Sequence, residues 1–92
     1  MNLEVDFKNA LNKVRDIFME LSEEDQLFVY GLFKQSTAGD CILEHSEYIL
    51  DYDVAKWEAW HSRMGMPQHE AKQAFVKKVA QIFELREEVK NG

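Results

Sequence analysis

The stretch LFVYGLFKQSTAGDC, Leu27–Cys41, decides the fold. Turned at about 100° per residue from Leu27, Phe28, Leu32 and Gln35 fall at ~100°, ~140° and ~80°. Tyr30, Lys34 and Thr37 fall at ~300°, ~340° and ~280°, with Phe33 at ~240°. The segment is a helix with two apolar arcs, roughly opposed. A helix that is apolar nearly all round sits centrally in its fold. A chain of 92 residues has little protein left to cover both arcs. Phe28 and Leu32 are therefore expected in the core, with Tyr30, Phe33 and Lys34 beside a groove.

The neighbouring sequence is helical too. Phe7, Ala10, Leu11, Val14, Ile17, Phe18 and Leu21 recur at three- and four-residue steps, which predicts a first helix over residues 4–19. Ser22 supplies an N-cap hydroxyl with Asp25 at the capping-box distance, so the central helix starts near Glu23. Glu23, Glu24 and Asp25 place negative charge at the positive end of its dipole. Gly39 closes it after Ala38. Periodicity lapses from Asp40 to Asp53, a long connection of the kind that is often functional, with Leu43, Ile49, Leu50 and Tyr52 expected to pin it down. A third helix is expected over Val54–Met64, ended by Gly65. Pro67 suits the first position of a fourth, with Ala71, Phe75, Val79, Ile82 and Phe83 as its stripe and a charged tail from Glu84 to Lys90.

Length and composition narrow the function. The length fits one domain spanning residues 1–92. A chain of this size has a core but little room for a closed cavity, so a surface groove suits a ligand better. The net charge of −6 disfavours nonspecific binding to nucleic acid or anionic membranes, although a few local cations can still hold an anion. The single cysteine, Cys41, allows no intrachain disulfide and suits the cytosol; it reads as an inert thiol near a helix end. Met1–Asp6 is polar and acidic, unlike a secretory leader, and no apolar run reaches the roughly 18 residues of a membrane span. His45, His61 and His69 lack metal-ligand spacing, and no nucleophile–base pairing stands out. No catalytic residue, metal site or cofactor is expected.

What remains is an aromatic and cationic face. Lys34 is a point cation able to meet a phosphate. Tyr30 adds a hydroxyl donor one turn earlier on the same face, and Phe33 a ring for a flat base. Spacing alone equally allows a core helix with a snorkelling lysine. In KWEAWHSRMGM, residues 56–66, Trp57 and Trp60 share a face behind Lys56. Both indoles can equally be core, with Lys56 a solvated charge.

These two segments, in this order, resemble the acyl-CoA-binding protein family. FKNALNKV (residues 7–14) and EAKQAFVKKV (residues 70–79) add to the likeness, which covers about residues 4–85. The resemblance implies an all-α fold, a four-helix up-down-down-up bundle, that binds medium- to long-chain acyl-CoA esters such as palmitoyl-CoA. It implies that Lys34, Lys56 and Tyr30 hold the CoA 3′-phosphate and that Phe33 lies near the adenine. Phe75 takes the place of a tyrosine on the last helix, and Arg15 that of a basic residue on the first. The acyl chain would lie in a groove by the second and third helices. Phe33 and Phe75 stand where the family commonly has tyrosine, keeping the rings without the hydroxyls. The loop EHSEYILDYDVAKW lacks the family's proline.

The expectation is thus a noncatalytic, cytoplasmic, monomeric carrier and buffer of acyl-CoA in fatty-acid metabolism, which can deliver its cargo to acyl-CoA-using enzymes. The alternative is a helical module that docks a partner protein through the second arc.

Overall fold

The computed structural model describes residues 2–42 and 51–91. Four α-helices run in order: α1 (Leu3–Ile17), α2 (Glu23–Ala38), α3 (Asp51–His61) and α4 (Gln68–Asn91). Among the described residues there is no strand. The expected pins Leu43, Ile49 and Leu50 lie outside the described residues, as do His45 and the Tyr52 side chain.

Local chemistry sets the helix ends. The Asn2 side chain accepts from the Glu4 and Val5 amides at 3.0 and 3.3 Å, capping α1 one residue earlier than its apolar stripe suggests. At its far end α1 tightens into a 3₁₀ turn, Phe18–Glu20. Gln26 Nε2 donates to the carbonyls of Phe18 and Leu21 at 3.1 and 3.2 Å, tying this turn to α2. Ser22 Oγ accepts from the Asp25 amide at 3.1 Å, the predicted cap. Gly39 takes φ 81° and donates its amide to Gln35 O, closing α2 where expected.

The third helix departs from its predicted bounds at both ends. It begins at Asp51, inside the stretch read as aperiodic, and stops at His61. Residues 62–65 instead form a tight turn, with the Arg63 amide donating to Trp60 O and Met64 to His61 O. Gly65, at φ 91°, ends this turn rather than the helix. Pro67 stands just outside α4, where its carbonyl accepts the first helical bond, from Ala71.

Side-chain pairs across the helices establish the topology. Lys72 pairs with Glu4 at 2.6 Å and Arg86 with Glu20 at 3.0 Å, so α1 and α4 run parallel. Lys78 meets Asp25 at 3.1 Å and Gln68 Nε2 donates to Ser36 O at 3.2 Å, so α2 opposes α4. Lys56 lies against Tyr30, and Trp60 against Lys34, so α3 runs parallel to α2. The result is up-down-down-up. Helix α4 packs on α1 and α2, and α3 packs on the far side of α2.

The core lies among α1, α2 and α4: Phe7, Ala10, Val14, Val29, Leu32, Phe75, Val79 and Ile82. Burying each large member contributes roughly 1.5–3 kcal/mol. Phe28 departs from expectation. It is 40% exposed, with Arg63 and Lys78 at 4.6 and 4.8 Å from its ring centre. Cations occupy the position that apolar partners were expected to fill, because the turn after α3 brings Arg63 there and α4 brings Lys78.

Candidate functional site

The second arc of α2 faces α3, and one glycine sets how closely the two helices approach. A Cβ on Gly31 would lie 2.4 Å from Ala59 O. Only hydrogen fits there. Glycine costs a helix interior roughly 1 kcal/mol against alanine, so its place mid-helix marks this contact. The approach brings two cations onto two rings. Lys56 Nζ lies 5.6 Å from the Tyr30 ring centre, and Lys34 Nζ lies 4.7 Å from that of Trp60. Such contacts are worth about 0.5–1 kcal/mol where exposed and more when desolvated.

The charge of Lys34 has no carboxylate partner among the described residues, unlike those of Lys72, Lys78 and Arg86. Lys34 is half-buried and Lys56 exposed. Two ammonium groups held on neighbouring rings, at least one of them without a counter-ion, are suited to an incoming anion.

A polar knot below them anchors the end of α2. Gln35, buried, donates from Nε2 to Asp40 Oδ1 and to Met66 O, both at 2.8 Å. Asp40 Oδ1 also accepts the Gly65 amide at 2.8 Å. Trp60, 6% exposed, donates its indole N–H to Gly39 O at 2.8 Å. The bond from the Gly65 amide, followed by that from Gln35, holds the Asp40 carboxyl below its ordinary value of 3.8. Most of the segment QSTAGD is thus structural. Gln35, Gly39 and Asp40 fix the turn after α3, and Trp60 both seals the knot and seats Lys34.

The sequence-predicted residues divide. Tyr30, Lys34 and Lys56 come together with Trp60. Phe33 is half-buried and packs against the core cluster. Arg15 is exposed in the last turn of α1. Phe75 does not reach the surface: it is 0% exposed, its ring 5.0 Å from that of Phe7. The core stripe of α4 claims it, so as the structure stands it presents nothing to a ligand. Trp57 is half-buried and stacks on His61 at 4.4 Å, one turn along α3. Gly31, Asp40 and the second role of Trp60 went unread in the sequence; the interior glycine was the available signal for the first. Among the described residues no group of three or more His, Cys, Asp or Glu is placed to hold a metal ion. None of the described helices is long and apolar enough to cross a membrane.

The family model described as acyl CoA binding protein matches residues 4–79. The chain belongs to the acyl-CoA-binding protein family. It is 35% identical over 84 residues to the acyl-CoA-binding protein homolog of Manduca sexta, covering 90% of this chain and 93% of that one. It is 37% identical over 84 residues to acyl-CoA-binding domain-containing protein 3 of Oryza sativa subsp. japonica. That match takes in 91% of this chain but 54% of the rice protein, so the chain spans about half the length of that relative. The crystal structure of Oryza sativa acyl-CoA-binding protein 2 superposes with a TM-score of 0.86 at 30% identity, covering 94% of this chain and 96% of that one. The all-α, four-helix architecture expected from the sequence is therefore that of the family.

Proposed function

We propose that this chain is a noncatalytic carrier of medium- to long-chain acyl-CoA esters. The observation that carries the reading is the pair of ring-seated ammonium groups, Lys34 on Trp60 and Lys56 on Tyr30, in a chain of this family. The CoA 3′-phosphate draws both cations off their rings, and the Tyr30 hydroxyl donates to it. The adenine lies by Phe33, with Arg15 approaching the head group from α1. The acyl chain follows the groove between α2 and α3. Phe75, on α4, backs the head-group site from the core. Residues 1–92 act as one acyl-CoA-binding domain, a monomer in the cytoplasm that shields the thioester and hands it to acyl-CoA-using enzymes.

The magnitudes are adequate. A C16 chain burying about 14 methylenes at roughly 0.8 kcal/mol each gains roughly 11 kcal/mol. Each charge-assisted contact adds about 1.5–3 kcal/mol, and stacking of the base about 1–3 kcal/mol. Ordering the flexible ester opposes these. Nanomolar affinity, about −12 kcal/mol, is within reach. The acyl group dominates affinity, and the phosphate clamp selects CoA esters over free acids.

Equilibrium dialysis against palmitoyl-CoA, CoA and palmitate tests the reading. Palmitoyl-CoA is expected to bind with one-to-one stoichiometry, the other two far more weakly. Equal retention of palmitate and palmitoyl-CoA would reject the clamp, and no retention of palmitoyl-CoA would reject the function.

A further inference from the structure

A concave surface lies where α1 joins α2, against the end of α4. It is an open groove of ≈ 600 Å³ walled by Leu21, Ile82, Phe83 and Leu85. Leu85 is 61% exposed, and Met19, beside the rim residue Glu20, is 84% exposed. A smaller hollow continues it, sharing Asp25, Ile82 and Leu85. Leu85 and Met19 leave apolar side chains beside the groove for a partner to cover.

The charge around it is in negative surplus, although Lys13 lies 5.8 Å from the Phe83 ring centre. From Asp16 to Asp25 the chain carries five carboxylates and no lysine or arginine. The dipole of α2 accounts for Glu23, Glu24 and Asp25 at its first turn. It does not account for Glu84 and Glu87, which line the groove and its continuation. The rim cations Arg86 and Lys78 are already paired, with Glu20 and Asp25. An apolar trough with surplus negative charge complements an amphipathic helix with an apolar stripe flanked by lysine or arginine.

The groove is also separate from the clamp. Asp25 and Lys34 are nine positions apart on α2, which at ~100° per residue turns them about 180° from one another. We infer that this acidic groove docks a cationic amphipathic helix of a partner protein, and that it does so whether or not the clamp is occupied. The inference does not rest on the ligand reading. It gives the acyl-CoA face and the partner face opposite sides of one helix.

The test is a ¹H–¹⁵N titration of the full chain with a synthetic helix of leucines and lysines at three- and four-residue spacing. The control is a scrambled peptide of identical composition, and both are run with and without one equivalent of palmitoyl-CoA. The expected result is shifts concentrated at Leu21, Ile82 and Leu85, with binding at least tenfold tighter than the scramble and unchanged by palmitoyl-CoA. Glu84→Lys with Glu87→Lys is expected to lose tenfold or more, as is Leu85→Ser, a change at an exposed position that leaves the fold intact. Equal binding of the scramble, shifts on the Lys34 and Lys56 face, displacement by palmitoyl-CoA, or no binding would each overturn the inference. So would sedimentation of the protein alone as a dimer with these resonances broadened, which would make a second copy the occupant. A chain that bound the peptide but not palmitoyl-CoA would reject only the carrier reading.

Discussion

Lys34 and Trp60 are joined across two helices: the ammonium lies 4.7 Å from the centre of the indole ring, and that indole's N–H is fixed on Gly39 O at 2.8 Å. The cation is therefore seated on a group that cannot swing away. Lys34→Ala removes the charge without touching the core. Palmitoyl-CoA affinity is expected to fall by about 1.5–3 kcal/mol, roughly ten- to a hundredfold, with an unfolding midpoint close to that of the wild type. Parallel ligand and urea titrations check both halves.

Trp60→Phe separates seat from seal. The smaller ring still offers a π face, but Gly39 O loses its donor and a gap opens beside α2. Stability is expected to drop by about 1–3 kcal/mol in urea unfolding. Ligand affinity is expected to drop less than in Lys34→Ala, because the cation itself remains.

Gly31→Ala tests the spacing of α2 and α3. Alanine improves helix propensity by up to about 1 kcal/mol. Its methyl would nevertheless meet Ala59 O at 2.4 Å, and a backbone oxygen cannot rotate aside. A net destabilisation of about 1–2 kcal/mol is expected, together with weaker palmitoyl-CoA binding as α3 is pushed off its rings. A variant more stable than wild type would show that the helices have slack here.

Asp40 carries the acid dependence of the knot. Its carboxyl is held below 3.8 by the Gly65 amide and Gln35. A depressed value in the folded state means the stabilisation is complete above the unfolded value and fades as pH falls through the folded one. Asp40→Asn keeps an acceptor and removes the charge. The stability difference between wild type and variant is expected to be constant from neutral pH down to about 4 and to shrink below it. Urea unfolding at a series of pH values measures this.

The sequence carried the helices and the caps of α2 because these are local. Ser22, Gly39 and the three- and four-residue apolar steps act within a turn or two of themselves. The bounds of α3 were less legible. No apolar stripe runs through Asp51–Asp53, and a tight turn at residues 62–65 looks helical by spacing alone. Phe28 left its expected place because periodicity tells which residues share a face, not what the facing helix offers; Phe75 keeps the place its stripe on α4 predicts. Phe28 met Arg63 and Lys78; Phe75 met Phe7. The pairing of Lys34 with Trp60 and Lys56 with Tyr30 depends on the parallel run of α2 and α3, which spacing does not encode.

Lys34 is proposed to belong to a clamp for the CoA 3′-phosphate. Calorimetric titration of wild type and Lys34→Ala, each with palmitoyl-CoA and its 3′-dephospho analogue, tests it most directly. Losing the phosphate is expected to weaken the wild type by roughly tenfold or more and to weaken Lys34→Ala by a smaller factor, since Lys56 and Tyr30 still meet it. Equal losses in both proteins, or no heat with palmitoyl-CoA at micromolar wild-type protein, would contradict it.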